Sequence, residues 1–157
     1  MKDVLIEQAT LSDAKQILAL QKLAYKSEAA LYNDDTLPPL LQTLAEIQEA
    51  FARQVFLKAS VAETIVGSVR AFAQDGTCFV GRLIVHPHFQ KRGIGSALMT
   101  RIEQRFEEAE RFELFTGYKS EGNIRLYEKL GYAVFETEQA TDALSLVFME
   151  KTTKANV

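Results

Sequence analysis

Residues 89–96 read FQKRGIGS and follow LIVHPH, a short apolar run stopped by a proline. Strand, proline, glycine turn and helix is an arrangement in which unpaired N–H groups converge at a helix N-terminus. There the bare amides and the macrodipole favour an anion. Gly93 and Gly95 lack a Cβ, so the backbone can take a positive φ and come close to a bulky oxyanion. Lys91 and Arg92 add charge at the rim. A phosphate or pyrophosphate is the ligand this chemistry suits; the same residues also suit a plain tight turn with solvated cations. Two nucleotide loops fit poorly. The pattern GxxxxGK[ST] is absent, and the dinucleotide fingerprint needs three glycines in a parallel βαβ unit.

Other reactive side chains are scattered. His86 and His88 flank Pro87, but two histidines without a cysteine cluster are too few for a metal, and no metal is expected. His86 as a base has nothing to support it. Candidate bases are Glu113, Glu28 and the pair Asp34/Asp35, each of which reads first as a solvated acid. Arg82, of opposite strand parity to Leu83, either points into a cleft or lies on the surface. Cys78, the single cysteine, reads as a strand residue; without a partner it forms no internal disulfide, which agrees with a reducing cytoplasm.

Positioning these groups requires strands and helices in a definite order. VLIEQAT (4–10) reads as a strand, and Thr10-Leu11-Ser12-Asp13 caps a helix over about 13–28 whose face carries Ile17, Leu20, Leu23 and Ala24. LYNDDTLPPL (31–40) reads as a loop, followed by a helix over roughly 42–53. From Val55 the texture turns to three antiparallel strands, with turns at Ala62-Glu63-Thr64 and Asp75-Gly76. Ile94, Leu98, Ile102 and Phe106 then mark a helix over about 94–109. FELFTG (112–117) is a strand, NIRLYEKL (123–130) a helix closed by Gly131, and YAVFETE and ALSLVFMEK a final pair of strands. The order βααβββαβαββ predicts an α/β (α+β) fold with a mostly antiparallel sheet of about seven strands and about four helices. FELFTG and the strand before the glycine loop form its one parallel pair.

The chain has 157 residues, 47% hydrophobic and 25% charged, which fits one domain over 1–151 with a polar tail at 152–157. A formal charge of −3 argues against a general nucleic-acid binder, and no apolar run reaches the length of a membrane span. No secretory h-region opens the sequence, so a cytoplasmic location is expected.

Gln90-Lys91-Arg92-Gly93-Ile94-Gly95 fits [QR]-x-x-G-x-[GA], and SEGNIRLYEKLGY follows downstream. With the element order, these segments resemble the GNAT N-acetyltransferases. The resemblance implies an acyltransferase that moves an acetyl group from acetyl-CoA, its co-substrate, to a primary amine by direct attack. It implies that the backbone of Leu83, Ile84 and Val85 pairs with the pantetheine arm, where the fourth and fifth strands splay. It implies further that Gln90, Lys91, Arg92, Gly93, Ile94, Gly95 and Ser96 hold the pyrophosphate, that Asn123 touches the coenzyme, and that Tyr127 gives a proton to the leaving thiolate. The family often has a second asparagine where this chain has Ser120. LYNDDTLPPL, with Tyr32, Asn33, Asp34 and Asp35, suits a small polar or amino-acid-like amine, with a protein or peptide amine as the alternative. A non-catalytic acyl-CoA-binding regulatory module is the other alternative, because no carboxylate stands where the family commonly carries one. A homodimer through the final strands is a further expectation.

Overall fold

The computed structural model describes residues 3–153. Seven strands form one sheet: β1 (Leu5–Gln8), β2 (Val55–Val61), β3 (Thr64–Gln74), β4 (Thr77–Val85), β5 (Arg111–Gly117), β6 (Ala133–Gln139) and β7 (Ser145–Thr152). Their spatial order is β1-β2-β3-β4-β5-β7-β6, and every neighbouring pair is antiparallel except β4 with β5. Five α-helices connect them among the described residues: α1 (Ala14–Tyr32), α2 (Pro38–Leu41), α3 (Leu44–Arg53), α4 (Ile94–Arg105) and α5 (Glu121–Lys129). This is the mixed, largely antiparallel sheet the residue pattern predicts.

Two apolar layers sandwich the sheet. On one face Cys78, Val80 and Phe112 pack with Leu98, Met99 and Ile102 of α4 and Tyr127 of α5. Leu98, Met99 and Ile102 are wholly buried. Each contributes about 1.5–3 kcal/mol by leaving water. On the other face Ile17, Leu18 and Leu20 of α1 and Ile47 of α3 cover Phe56, Ile65 and Ile84. A third cluster of Ala29, Tyr32, Leu37 and Leu144 ties the end of α1 to the turn between β6 and β7.

Several boundaries differ from the sequence reading. α1 continues to Tyr32, ending where Asn33 takes the left-handed conformation at φ 49°. The two prolines forbid less than expected, since both sit in the first turn of the short α2, where their missing N–H costs nothing. α4 stops at Arg105 instead of running to 109. The Phe106 N–H is shared between the carbonyls of Ile102 and Glu103, and the Glu110 N–H then bonds to Gly76 O at 2.8 Å, turning the chain into β5. Leu23, expected on the apolar face of α1, is 37% exposed, while Gln21 is wholly buried. Thr152 belongs to β7, and residues 154–157 of the expected tail lie outside the described residues.

Candidate functional site

The site begins with an irregularity in β4. Ser68 pairs with Ile84 and Arg70 with Gly81, so β4 holds one residue more than β3 in this interval. Arg82, at φ 50°, absorbs the surplus as a β-bulge. The bulge reverses which side of the sheet each later residue faces. Before it, Cys78 and Val80 face α4; after it, Leu83 and Val85 face α4 while Ile84 packs under α1. β4 pairs with β5 only over Thr77–Phe79 and Arg111–Glu113. Beyond that the strands part, and Leu83–Val85 keep an edge without a strand partner on the β5 side.

At the end of β4 the chain turns through Pro87–Phe89 into the glycine loop. Lys91 sits at φ 63° and Gly93 at φ 83°, and α4 starts at Ile94. The amides of residues 91–96 find no protein acceptor among the described residues; the first helical bond runs from Ala97 N to Gly93 O, at 3.0 Å. Successive bare N–H groups around left-handed residues, at the start of a twelve-residue helix, form an anion nest. A Cβ at Gly93 would touch nothing, so this position needs glycine for its φ, not for space.

A cavity of about 560 Å³ joins these features. Leu83, Ile84, Val85, Gln90, Lys91, Gly93, Ile94, Gly95, Ser96 and Asn123 line it, facing Tyr25 and Glu28 of α1 and Ser120 before α5. Arg92 is not part of the lining; its guanidinium stands over the Phe89 ring, 5.1 Å from the centroid. Tyr127 is also outside the lining and is 6% exposed. Its hydroxyl has no protein partner among the described residues, yet no partnerless side-chain polar atom there is sealed from solvent. Burial, chiefly, and the nearby Tyr25 and Glu28 push the Tyr127 phenol well above the usual range. Burial likewise raises the Tyr25 phenol, against the opposing pull of Arg82 and Arg70.

The candidate acids separate cleanly. Glu28 lines the cavity and accepts a hydrogen bond from the Ser120 hydroxyl. Glu113 is engaged by Arg111 at 2.8 Å, on the sheet face away from the loop. Asp34 accepts from Thr36 N at 2.8 Å and Thr36 Oγ1 at 2.5 Å, bonds that hold its carboxyl below the usual range and make it a turn residue. Tyr32 is buried beneath Gly117 and accepts from Lys119 N at 2.9 Å. Of LYNDDTLPPL only Leu31 lines the cavity; Asp34 and the exposed Asp35 stand outside the lining. His86 accepts from His88 N through Nδ1 at 3.1 Å, and no three His, Cys, Asp or Glu side chains among the described residues are grouped to hold a metal. Burial, helped by Glu103, pushes the Cys78 thiol up to about 12.

Tyr25 escapes a reading of the sequence because it lies on the helical face that carries the core. The available signal is its place one turn before Glu28, where a polar tip interrupts the apolar stripe. Arg82 is half-buried, donates to the neutral Gln42 Oε1 at 2.8 Å and is not among the residues lining the cavity, so it neither stands in the cleft against an acid nor lies free on the surface.

The sequence profile of the acetyltransferase (GNAT) family matches residues 17–132. The chain is 29% identical over 133 residues to UPF0157 protein YqkA of Bacillus subtilis, covering 85% of this chain and 38% of that protein. It is 31% identical over 86 residues to acetyltransferase YE1169 of Yersinia enterocolitica, covering 54% of this chain and 61% of that protein. It thus spans less than two thirds of the length of either relative. In fold it matches yncA of Salmonella typhimurium, solved with its cofactor acetyl-CoA, at 22% identity and a TM-score of 0.75 over 98% of this chain and 96% of that one. A profile match across most of the length, laid over a splayed β4–β5 pair and a glycine loop, places the chain in the GNAT acetyltransferase family.

Proposed function

We propose that the protein is an N-acetyltransferase that moves the acetyl group of acetyl-CoA to a primary amine of a small molecule by direct attack. The observation that carries this reading is the run of amides from Lys91 to Ser96 without a protein acceptor, beside an open strand edge at Leu83–Val85. These residues fit the co-substrate: the nest suits a diphosphate, and the open edge of β4 offers N–H and C=O groups to amides of an extended chain. Gln90, Lys91 and the Ser96 hydroxyl offer polar contacts at the rim, Asn123 faces the same space from α5, and Arg92, over the Phe89 ring outside the lining, adds positive charge nearby. When bound, acetyl-CoA supplies an activated acyl carbon and a thiolate leaving group.

The chain's own residues handle the protons. Glu28, oriented by Ser120, takes the proton that the acceptor ammonium must lose before its nitrogen can attack. As the C–N bond forms and the C–S bond breaks, the Tyr127 hydroxyl donates a hydrogen bond to the sulfur, and the second proton of the nitrogen passes to the departing thiolate, leaving a neutral amide and a thiol. The raised pKa of Tyr127 favours that role over full proton transfer, because a simple thiol titrates near ~8.5, well below this phenol. The acceptor side, bounded by Tyr25, Glu28 and Leu31 of α1 and by Lys119 and Ser120, suits a small amine better than a polypeptide.

Calorimetric titration with acetyl-CoA and with ATP, followed by thiol release with a panel of amines, tests the reading. The expected outcome is acetyl-CoA binding and amine-dependent release of thiol. Binding without amine-dependent release would support the regulatory module instead, and tight binding of ATP alone would reject both.

A further inference from the structure

Behind the acceptor side of the cavity lie two guanidinium groups without a carboxylate partner. Arg70 is 5% exposed, donates from Nη2 to Gln21 Oε1 at 2.6 Å and stacks on Phe56, 4.5 Å from the ring centroid. Arg82, at the bulge, donates from Nη1 to Gln42 Oε1 at 2.8 Å. Gln21, wholly buried, joins them by donating to Gln42 Oε1 and to Pro39 O, both at 2.9 Å. All these partners are neutral. No ion pair within 4 Å is made by either arginine among the described residues; Glu46, capping the exposed start of α3, pulls on Arg82 only from a distance. Burial lowers the pKa of both groups, and each guanidinium feels Tyr25, with Arg82 adding to the shift at Arg70. A guanidinium remains protonated in proteins, so what burial creates here is an unmet demand for an anion.

The direction of that demand follows from the geometry. Nε and Nη2 of Arg82 have no protein acceptor, yet no partnerless side-chain polar atom among the described residues is sealed from solvent, so this edge of the fork is open. It is the edge that grips a planar carboxylate with two parallel hydrogen bonds. Neither arginine is part of the cavity lining, but Arg82 immediately precedes the lining residues Leu83–Val85, and Tyr25, which feels both guanidinium groups, lines the cavity beside Glu28. We propose that the acceptor carries a carboxylate, held bidentately by the Nε–Nη2 edge of Arg82 with Arg70 behind it, while its amine faces Glu28. The substrate class is then the free amino acid or a closely related amino-carboxylate. This rests on the transfer reading above and narrows it, because a peptide N-terminus or a polyamine has no such group beside its amine.

The test compares free L-amino acids with their α-carboxamides, which keep the ammonium and the side chain and lose only the anion. Thiol release at saturating acetyl-CoA should show at least about a tenfold higher kcat/KM for the best acid than for its amide, the loss expected when one bidentate pair goes. Arg82→Gln should erase that ratio and Arg82→Lys restore part of it. Amides, polyamines or peptides that match or exceed the acids would overturn the proposal, as would an unchanged ratio in Arg82→Gln. Calorimetric titration of the same pairs into the complex with coenzyme A reads the anion site without turnover. Acids that bind where amides do not keep the inference even if no acetyl group moves and the transfer reading falls; acids that bind no better than amides sink it whatever the turnover. The acid and amide comparison on the unmodified protein stands even if the Arg82 variants fail to fold.

Discussion

At the α4 end of the cavity, the groups offered to a ligand are main-chain amides contributed by one short segment, residues 91–96. At the α1 end they are side chains, Tyr25 and Glu28 from α1, the latter held by Ser120, with Arg82 of the β4 bulge, held by Gln42, outside the lining. A main-chain nest depends on φ angles and tolerates most changes of side chain. A side-chain site depends on which residues several separate segments happen to carry, so it can be rebuilt for a new acceptor while the other end stays as it is. This division separates what recognises a shared co-substrate from what selects an individual amine.

The sharpest way to break the comparison is Glu28→Gln, which removes proton acceptance while keeping the shape and the Ser120 contact. We expect kcat to fall by about 10²–10³-fold, the range for a lost general base, with acetyl-CoA affinity little changed. A kcat close to that of the unmodified protein would place the base elsewhere. The pH profile adds a signed check. Activity should rise with pH as the acceptor ammonium loses its proton. No alkaline fall from Tyr127 is expected below about pH 10, the ordinary phenol value, because burial moves its deprotonation higher still.

Gly93→Val attacks the other end. Nothing lies within 4 Å of the added Cβ, but a β-branched residue at φ 83° costs about 1–2 kcal/mol or turns the loop away from its nest. Acetyl-CoA Kd should rise by about tenfold in calorimetry, with thermal stability also reduced. A loop that bound acetyl-CoA with undiminished affinity would show that the left-handed turn is not what holds it.

The same division explains what a reader of the sequence can find. The loop was legible because its chemistry is local: two glycines, two cations and a helix start occupy eight consecutive residues. The order of strands was legible from alternation and turns. The bulge at Arg82 was not, since nothing in GRLIV marks the residue that will take a positive φ. The burial of Gln21 could not be read for a related reason: it depends on Arg70 and Gln42, which satisfy its amide and are far away in sequence. The choice among Glu28, Glu113 and Asp34 needed three-dimensional contacts, because each is an acid whose role is fixed by a partner on another segment or by its own turn.

Tyr127→Phe separates chemistry from packing. The hydroxyl has no protein partner among the described residues, so its removal orphans no group; by contrast, Tyr132 donates to Glu103 Oε2 at 2.9 Å and its loss would take that bond away, leaving Glu103 to Lys151 alone. Stability should therefore change little, while kcat falls by about tenfold, the worth of one hydrogen bond to a developing charge. An unchanged kcat would remove Tyr127 from the reaction and leave it as a core residue.

Asn123→Ala should have the smallest effect and says most about the coenzyme end. Asn123 faces the cavity from the first turn of α5, and its side chain has no hydrogen-bond partner among the described residues. If main-chain groups carry recognition there, losing one side-chain contact should weaken acetyl-CoA by no more than about threefold, the low end of a single neutral hydrogen bond. Alanine is also the better helix former, so any loss of affinity cannot be charged to a weakened α5. A tenfold or larger loss, measured by the same calorimetry as Gly93→Val, would mean that α5 grips the co-substrate through side chains. The contrast between a backbone-built end and a side-chain-built end would then be one of degree.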